Sequence, residues 1–336
     1  MTHELKQLIE QALVWQKKHY KLVLATVVAM EGSSYRRPGV RMLLNDQGER
    51  FGAVSGGCVE KEVHRQALDV FESRVPKMMS YDGRLRLGCE GIIHLLLEPL
   101  ELSEELLMTF NDFISSRRSF SSRSFFSLEV EDYTKFGTDL LFDGNAYGLS
   151  KDFKATDEVS VFTQEFPPLF RFWIFGAEHD AVTLCKAAAT LGWEVTVVAS
   201  PDEQKTIDYF PGAANLRTPN FDELEVDSID KQTALILMTH SLSKDVQYLI
   251  ALSKTHPIYF GLLGPAKRRE QLINHLLEHK PDTDLAFIEK LRGPAGINIG
   301  AENSKEIAVS VLAEILSVIR NQEPIPLSVK KGRIHE

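Results

Sequence analysis

From Phe170 onward the chain alternates short apolar runs with amphipathic stretches, and this alternation restricts the fold more than any other feature. The runs FRFWIF (170–175), EVTVVA (194–199), TALILMT (233–239) and PIYFGLL (257–263) have strand length, and helical patterns lie between them, the first over Ala181–Leu191. Alternation of this kind implies a parallel sheet of Rossmann type, so the fold class is α/β. The last helix opens with Asn303-Ser-Lys-Glu306, a capping pattern, and carries Ile307, Val311, Leu312, Ile315 and Ile319 on one face. After Arg320 the periodicity is lost, and residues 321–336 read as a tail, either mobile or an arm that packs on a partner.

The half before residue 165 reads as a separate α+β domain. It has a helix at 4–18, a nearly continuous apolar strand at Leu22–Met30, and a hairpin made of Val40–Leu44, the turn Asn45-Asp-Gln-Gly48 and Arg50–Val54. The loop Ser55-Gly-Gly-Cys58 then runs directly into a helix marked by Val59, Val63, Ala67, Val70 and Phe71. A further strand is expected at Ile92–Glu98, and the Ser/Arg-rich residues 116–123 read as an exposed connection. Residues 124–165 hold a weak internal repeat. Gly137-Thr-Asp-Leu-Leu-Phe-Asp-Gly144 and Tyr147-Gly-Leu-Ser150 echo the hairpin at 39–55, and the strand Phe125–Val130 lines up with Leu24–Ala29. The reading is a decayed copy that extends the first β-layer without its Ser-Gly-Gly-Cys loop; a chance likeness of two hairpins is the alternative. The domain boundaries expected are therefore 1–165, 170–320 and a tail at 321–336.

Composition excludes several classes. The 336 residues are 43% hydrophobic and 25% charged, ordinary for a globular protein with two domains, and hold no apolar run of membrane-spanning length. Three cysteines without paired spacing argue against a disulfide framework and agree with a reducing, cytoplasmic setting. They are also too few for a redox enzyme that carries several iron–sulfur clusters, since each [2Fe–2S] centre takes about four thiolates. A formal charge of −9 disfavours general nucleic-acid binding.

Cys58 stands at a helix start, where unpaired backbone N–H groups and the positive end of the helix dipole favour a negatively charged group. Gly56 and Gly57 before it permit close backbone approach to a ligand. A lone cysteine is more often a small buried hydrophobe, and that remains the reading for Cys185, mid-helix on an apolar face. Cys89 lies in a second glycine-containing turn, where core packing and function are equally open. Arg36 and Arg37 precede Pro38 and carry the forked geometry that grips phosphate, against the alternative of solvated surface charge. The direction of Arg41 is left open, and Glu60 fits either a helix cap or a ligand contact. In the second half, Gly176, Glu178 and Ala181 occupy the three positions where a dinucleotide fingerprint carries glycine, so the loop is broken at its third position. The second strand ends in Ala199-Ser200, with an acidic residue only at Asp202. NAD binding is therefore not expected. His179 and His240 each follow an apolar strand, with Asp180 and Thr239 beside them, and are candidates for a ligand site at the carboxyl edge of the sheet. Arg268 and Arg269 are possible anion contacts.

Several motifs in fixed order carry a resemblance. Gly32-Ser-Ser-Tyr-Arg-Arg-Pro-Gly39, Ser55-Gly-Gly-Cys-Val-Glu60 and Leu87-Gly-Cys-Glu-Gly91 resemble the N-terminal domain of the XdhC/CoxI family. Gly176-Ala-Glu-His-Asp-Ala181, Met238-Thr-His240, Gly261-Leu-Leu-Gly-Pro265 and the run from Leu291 to Glu302 resemble its C-terminal domain, so the likeness spans roughly residues 5–320. It implies an accessory factor that binds molybdenum cofactor (molybdopterin), protects it and delivers it to a molybdenum hydroxylase such as xanthine dehydrogenase. A cysteine desulfurase is an implied second partner, and a homodimer is expected. The cofactor-binding residues so implied are Arg36, Arg37, Ser55, Gly56, Gly57, Cys58, Glu60, Cys89, Gly176, His179, Asp180 and His240, with Cys58 and Cys89 facing one pocket as molybdenum contacts. The Cys58 loop is further expected to face the edge carrying His179 and His240, within one chain or across a dimer. A nicotinamide-dependent oxidoreductase and a protein-binding assembly scaffold are the rival readings.

Overall fold

The computed structural model describes residues 1–32, 37–83, 91–129 and 133–330. Its contacts divide into two units, Met1–Pro168 and a second beginning at Leu169. In the first, α1 (Thr2–Lys17) leads into β1 (Leu22–Gly32), followed by the hairpin of β2 (Arg41–Asn45) and β3 (Arg50–Gly52). Helix α2 (Cys58–Ser73) comes next, then β4 (Lys77–Asp82) and β5 (Gly91–Leu100). The strands form an antiparallel sheet of order β3-β2-β1-β5-β4. Helix α2 lies on one face because Val59, Val63, Ala67, Val70 and Phe71 recur at helical spacing and meet the alternate side chains Val23, Ala25, Val27, Leu95 and Leu97. Burying each of these valine, leucine and phenylalanine side chains contributes about 1.5–3 kcal/mol.

The opposite face packs on a second sheet. Helix α3 (Glu104–Ser115), capped by Ser103, is followed by β6 (Phe120–Phe126), β7 (Gly137–Phe142), β8 (Asn145–Gly148) and β9 (Ser160–Phe166), in the order β8-β7-β6-β9. The two sheets share a plan. In each, a helix leads into an inner strand with a hairpin on one side and a closing strand on the other; the first alone inserts α2 and β4. Residues 124–165 thus build a sheet of their own rather than lengthening the first, with Leu22, Leu24, Phe120, Leu140, Phe142 and Phe166 in one core.

The segment 116–123 is not an exposed connection. Its second half is β6, an inner strand, and Ser121, Ser122 and Ser124 are buried. The aligned strand runs Phe120–Phe126, short of the expected Val130, which lies outside the described residues. Ser122, Arg123 and Ser124 are tolerated here because each has a partner across the sheets or strands. Arg41 points inward, its guanidinium donating to Ser122 Oγ at 2.8 Å, Gly39 O at 2.9 Å and Gln164 Oε1. Arg123 pairs with Asp139 at 2.6 Å, and Ser124 Oγ meets Thr138 Oγ1 at 2.9 Å. Beneath them Glu98, fully buried, accepts from Thr138 N at 2.7 Å and Thr138 Oγ1 at 2.5 Å. Burial pushes the Glu98 carboxyl up to about 7 despite those hydrogen bonds and the nearby Arg41 charge, and burial lowers Arg41 to about 10.

The second unit is a six-stranded parallel sheet of order β12-β11-β10-β13-β14-β15. Its strands are β10 (Arg171–Phe175), β11 (Glu194–Val198), β12 (Ala213–Arg217), β13 (Thr233–Leu237), β14 (Tyr259–Leu262) and β15 (Leu291–Arg292). Helices α4 (His179–Thr190), α5 (Leu242–Leu252), α6 (Ala266–His279), α7 (Leu285–Lys290) and α8 (Ser304–Arg320) complete it. This is the strand order of the doubly wound dinucleotide-binding fold, with its reversal between β10 and β13. The α8 cap forms as expected: Asn303 Oδ1 accepts from Lys305 N and Glu306 N, and Glu306 reaches back to Glu302 N at 2.8 Å. Among the described residues no helix is long and apolar enough to cross a membrane.

Glu98 makes stability depend on pH in a defined direction. A folded carboxyl raised to about 7 keeps its proton where the unfolded chain, near 4.5, has lost it, so its contribution is complete below about pH 4.5 and falls as pH rises through 7. Over that range the loss is on the order of 3 kcal/mol. Glu98→Gln cannot ionise. Chemical denaturation of both proteins is expected to show the variant gaining on the parent between pH 5 and pH 8; a pH-independent difference would mean that Glu98 is ionised throughout.

Candidate functional site

Three motif-bearing connections leave the first sheet at one end. The register sets Gly32 opposite Gly91, Asp82 opposite Ile92, and Arg41 opposite Thr26, with Met42 opposite Gly52. The chain segments after β1 and β4 therefore start from neighbouring positions, whereas β3 runs in the same direction and ends level with Ala25 of β1. Of the expected site residues on them, Arg36 and Cys89 lie outside the described residues. Arg37 is described and exposed. Gly83, just past Asp82, donates to Gly91 O at 3.1 Å.

Ser55, Gly56, Gly57 and Cys58 form one continuous feature. Cys58 is the first residue of α2, exposed, with a free thiol. Gly57, the residue before it, has φ +36°, a left-handed value that strains any residue with a side chain, yet a Cβ there would meet nothing within 4 Å. The same is true of the space around Gly56. The loop is consequently held by backbone conformation while its outer side stays open to a ligand. Underneath, Glu60 is buried and its Oε1 accepts from Ser55 N–H at 2.8 Å. The cap reading of Glu60 is thus partly met: the carboxylate ties the loop to the first helical turn. Its Oε2 is buried without a hydrogen-bond partner. Beside Cys58 a cavity of about 470 Å³ opens between α2 and the edge strand β4, lined by Cys58, Lys61, Arg65 and Tyr81 among others. Cys185, by contrast, is buried in the second unit, its thiol pushed up to about 11 by burial.

In the second unit the carboxyl edge gathers Gly176, His179, Asp180 and His240. Gly176 has φ +141°, and a Cβ would stand 2.6 Å from Met238 O, so only glycine lets β10 end this close to the strand beside it. His179 begins α4 and is exposed; Asp180, one residue on, approaches His240 with Oδ2 and Nε2 3.6 Å apart. His240 itself is in the left-handed region at φ +58°. A buried group that was not singled out from the sequence supports this corner. Asp245 accepts from Thr239 Oγ1 at 2.6 Å and Thr239 N at 3.2 Å, and from Arg268 at 2.7 Å. Arg268 is thereby engaged inside the fold, and Arg269 donates to Leu291 O at 3.0 Å and Ile288 O at 3.4 Å, so neither serves as an open anion contact. The signal for Asp245 was its place in the first turn after a Ser cap, which is indistinguishable in sequence from an ordinary helix-start acid.

The position where a ribose would be recognised is also taken. Lys244 Nζ donates to Ser200 Oγ at 2.8 Å and lies 3.7 Å from Asp202, and Glu178 precedes α4 with an exposed anionic side chain. Among the described residues no cluster of three metal-ligating side chains occurs.

Comparison with known proteins places these features. Residues 172–315 match the family model of the XdhC Rossmann domain, and residues 15–82 that of the XdhC and CoxI family. The chain is 31% identical over 313 residues to a probable xanthine dehydrogenase subunit from Bacillus subtilis, and the alignment covers 88% of this chain and 92% of that one. It is 27% identical to the molybdenum cofactor insertion chaperone PaoD of Escherichia coli, covering 90% of this chain and 84% of that one. The crystal structure of a xanthine dehydrogenase from Bacillus halodurans superposes with a TM-score of 0.76 at 26% identity, covering 94% of this chain and 96% of the other.

Glu178 stands where the dinucleotide fingerprint carries a glycine, and Lys244 contacts Ser200 and Asp202 just past β11. Titration calorimetry is expected to find NAD(H) binding no tighter than about millimolar, or about −4 kcal/mol. Micromolar affinity would show that the broken glycine loop still functions.

Proposed function

Because the chain belongs to the XdhC and CoxI family, we propose that it is a chaperone that binds molybdenum cofactor, protects it and delivers it to a xanthine dehydrogenase-type hydroxylase. The observation that carries this reading is the exposed Cys58 thiol at the head of α2, behind two glycines with open space above them and beside a ligand-sized cavity. A thiol so placed suits a soft metal centre or its sulfur ligands. Similarity to a molybdenum cofactor insertion chaperone supports the same reading. Three cysteines remain too few for a redox enzyme with iron–sulfur clusters, which favours association with a hydroxylase over being one.

In this reading Ser55, Gly56 and Gly57 shape the approach to Cys58, and Glu60 fixes the loop from below. Arg36 and Arg37 remain candidates for the cofactor's phosphate and Cys89 for a second sulfur contact. Gly176, His179, Asp180 and His240 are candidates in the second unit, where the Asp180–His240 pair offers an imidazole at a sheet edge. The hydroxylase is the principal partner; a cysteine desulfurase and a second copy of the chain are further ones. An oxidoreductase using NAD is disfavoured by the geometry at Glu178 and Lys244, and an assembly scaffold leaves the open thiol without a role.

Cys58→Ala is expected to leave the thermal midpoint unchanged, because the side chain is exposed, while cofactor retention falls about tenfold or more. Circular dichroism and cofactor content after gel filtration measure both. Gly57→Val adds a side chain at a left-handed position and is expected to reduce retention with the thiol still present. Retention by both variants equal to the parent would contradict a cofactor seat at this loop.

A further inference from the structure

Strand β1 changes face before it ends. Val23, Ala25 and Val27 point at α2, and unbroken alternation would send Ala29 and Glu31 the same way. A β-bulge intervenes: Val27 stands opposite Leu95 but Ala29 opposite His94, which leaves Val28 as an extra residue. The shift by one carries Glu31 to the other face of the sheet, the face of His94 and Leu96. There it meets a buried imidazole. His94 is 6% exposed, in a stretch otherwise apolar from Ile92 to Leu97. Its Nε2 lies 3.3 Å from Glu31 Oε1, and its Nδ1 lies 2.8 Å from Ser80 Oγ on β4. An ionised carboxylate only accepts, so Nε2–H donates to Glu31 and Nδ1 accepts from the Ser80 hydroxyl. Both partners are exposed, and tying down exposed groups adds little to stability. A leucine would fill the place of His94 without burying a polar ring. What the imidazole supplies is direction: one oxygen of Glu31 is held while its side chain stays 63% exposed. Glu31 and Asp82 are both opposite Ile92, so this end of the face presents acceptors. Glu31 also adjoins the Gly32 motif, and Gly32 is paired with Gly91 of the next one.

We propose that Glu31 is a ligand-binding residue with His94 as its positioning residue, and that its carboxylate takes the paired N–H donors on the edge of an amino-pyrimidinone ring. A carboxylate of fixed orientation receives two adjacent N–H groups through parallel, charge-assisted hydrogen bonds, and lone pairs remain for both after the His94 contact. Such an edge belongs to a pterin, so the inference rests on the chaperone reading. It adds to that reading the group that meets the ring, where Arg36, Arg37, Cys58 and Cys89 are candidates for the phosphate and sulfur.

Ring recognition is measured on the full chain without cofactor. Saturation-transfer NMR titrations compare pterin with lumazine, which carries an oxo group in place of the 2-amino group. The parent is expected to bind pterin about fivefold or more tightly than lumazine. Glu31→Gln is expected to lose that preference at an unchanged thermal midpoint, because the side chain is exposed. Equal affinity of the parent for the two, no binding of either, or a preference that survives in Glu31→Gln overturns the assignment. His94→Leu fills the core and frees Glu31, and is expected to lose most of the preference. Should it fail to fold, Ser80→Ala at an exposed position replaces it, with a smaller loss expected. A folded variant that keeps the full preference refutes the positioning role. Molybdenum cofactor retention separates this inference from the reading beneath it. If Cys58→Ala releases the cofactor while Glu31→Gln retains it in full, the Glu31 assignment is refuted and the chaperone reading stands. If Cys58→Ala itself retains the cofactor, the seat at that loop is misplaced, and the preference for pterin alone then decides the role of Glu31.

Discussion

The hydrogen bond from Ser55 N–H to the buried carboxylate of Glu60 is the contact on which the first unit's chemistry depends. Helix α2 is anchored by its apolar stripe on β1 and β5, which fixes where the helix lies but not how its first turn is presented. Glu60 supplies that second constraint. By reaching back past Cys58 to the residue before the two glycines, it closes the loop over itself and leaves Gly57 in a left-handed conformation. The result is a thiol displayed outward at a helix start while a carboxylate lies inward beneath it. A buried carboxylate with one oxygen unpaired is costly in a fold that gains nothing from it. Its presence here, under an exposed thiol beside a cavity, is what supports the proposed cofactor seat at this loop.

The second unit solves a related problem by different means. Its carboxyl edge has strand ends packed so closely that Gly176 cannot bear a side chain, and the loop after β13 is held by Asp245 through Thr239 and Arg268. This buried network keeps His240 in its left-handed conformation within reach of Asp180. The fold is that of a dinucleotide-binding domain, but the groups at its switch point are not those that bind one: an anion stands at Glu178, and Lys244 spans Ser200 and Asp202. Fold and site thus diverge, and the site has to be argued from its own residues.

Features governed by local periodicity were legible in the chain. The parallel strands of the second unit, the apolar face of α2 and the Asn303 cap of α8 all follow from spacing within a few residues. What could not be read depends on partners far away in sequence. The Ser/Arg-rich stretch before residue 124 looks like an exposed connection because nothing in it shows that Ser122 will meet Arg41, or Arg123 Asp139, across sheets and strands. The inward turn of Arg41 is hidden for the same reason. Strand β12, AANLR, is an edge strand with exposed side chains and so lacks an apolar run, and β4 is masked by its own polar edge. Within the candidate site, the Ser-Gly-Gly-Cys loop was visible, whereas the buried carboxylate of Glu60 beneath it, with one oxygen unpaired, exists only once α2 is packed on the sheet.

Whether this chain carries a cofactor to an acceptor enzyme is decided by a transfer assay. Purified full-length chain loaded with molybdenum cofactor would be mixed with a cofactor-free xanthine dehydrogenase-type hydroxylase, and the return of hydroxylase activity timed against an equal amount of free cofactor. Faster and more complete reactivation is expected from the loaded chain, with cofactor leaving the chain as activity appears. Reactivation no better than with free cofactor, or cofactor that stays on the chain, would contradict a delivery role.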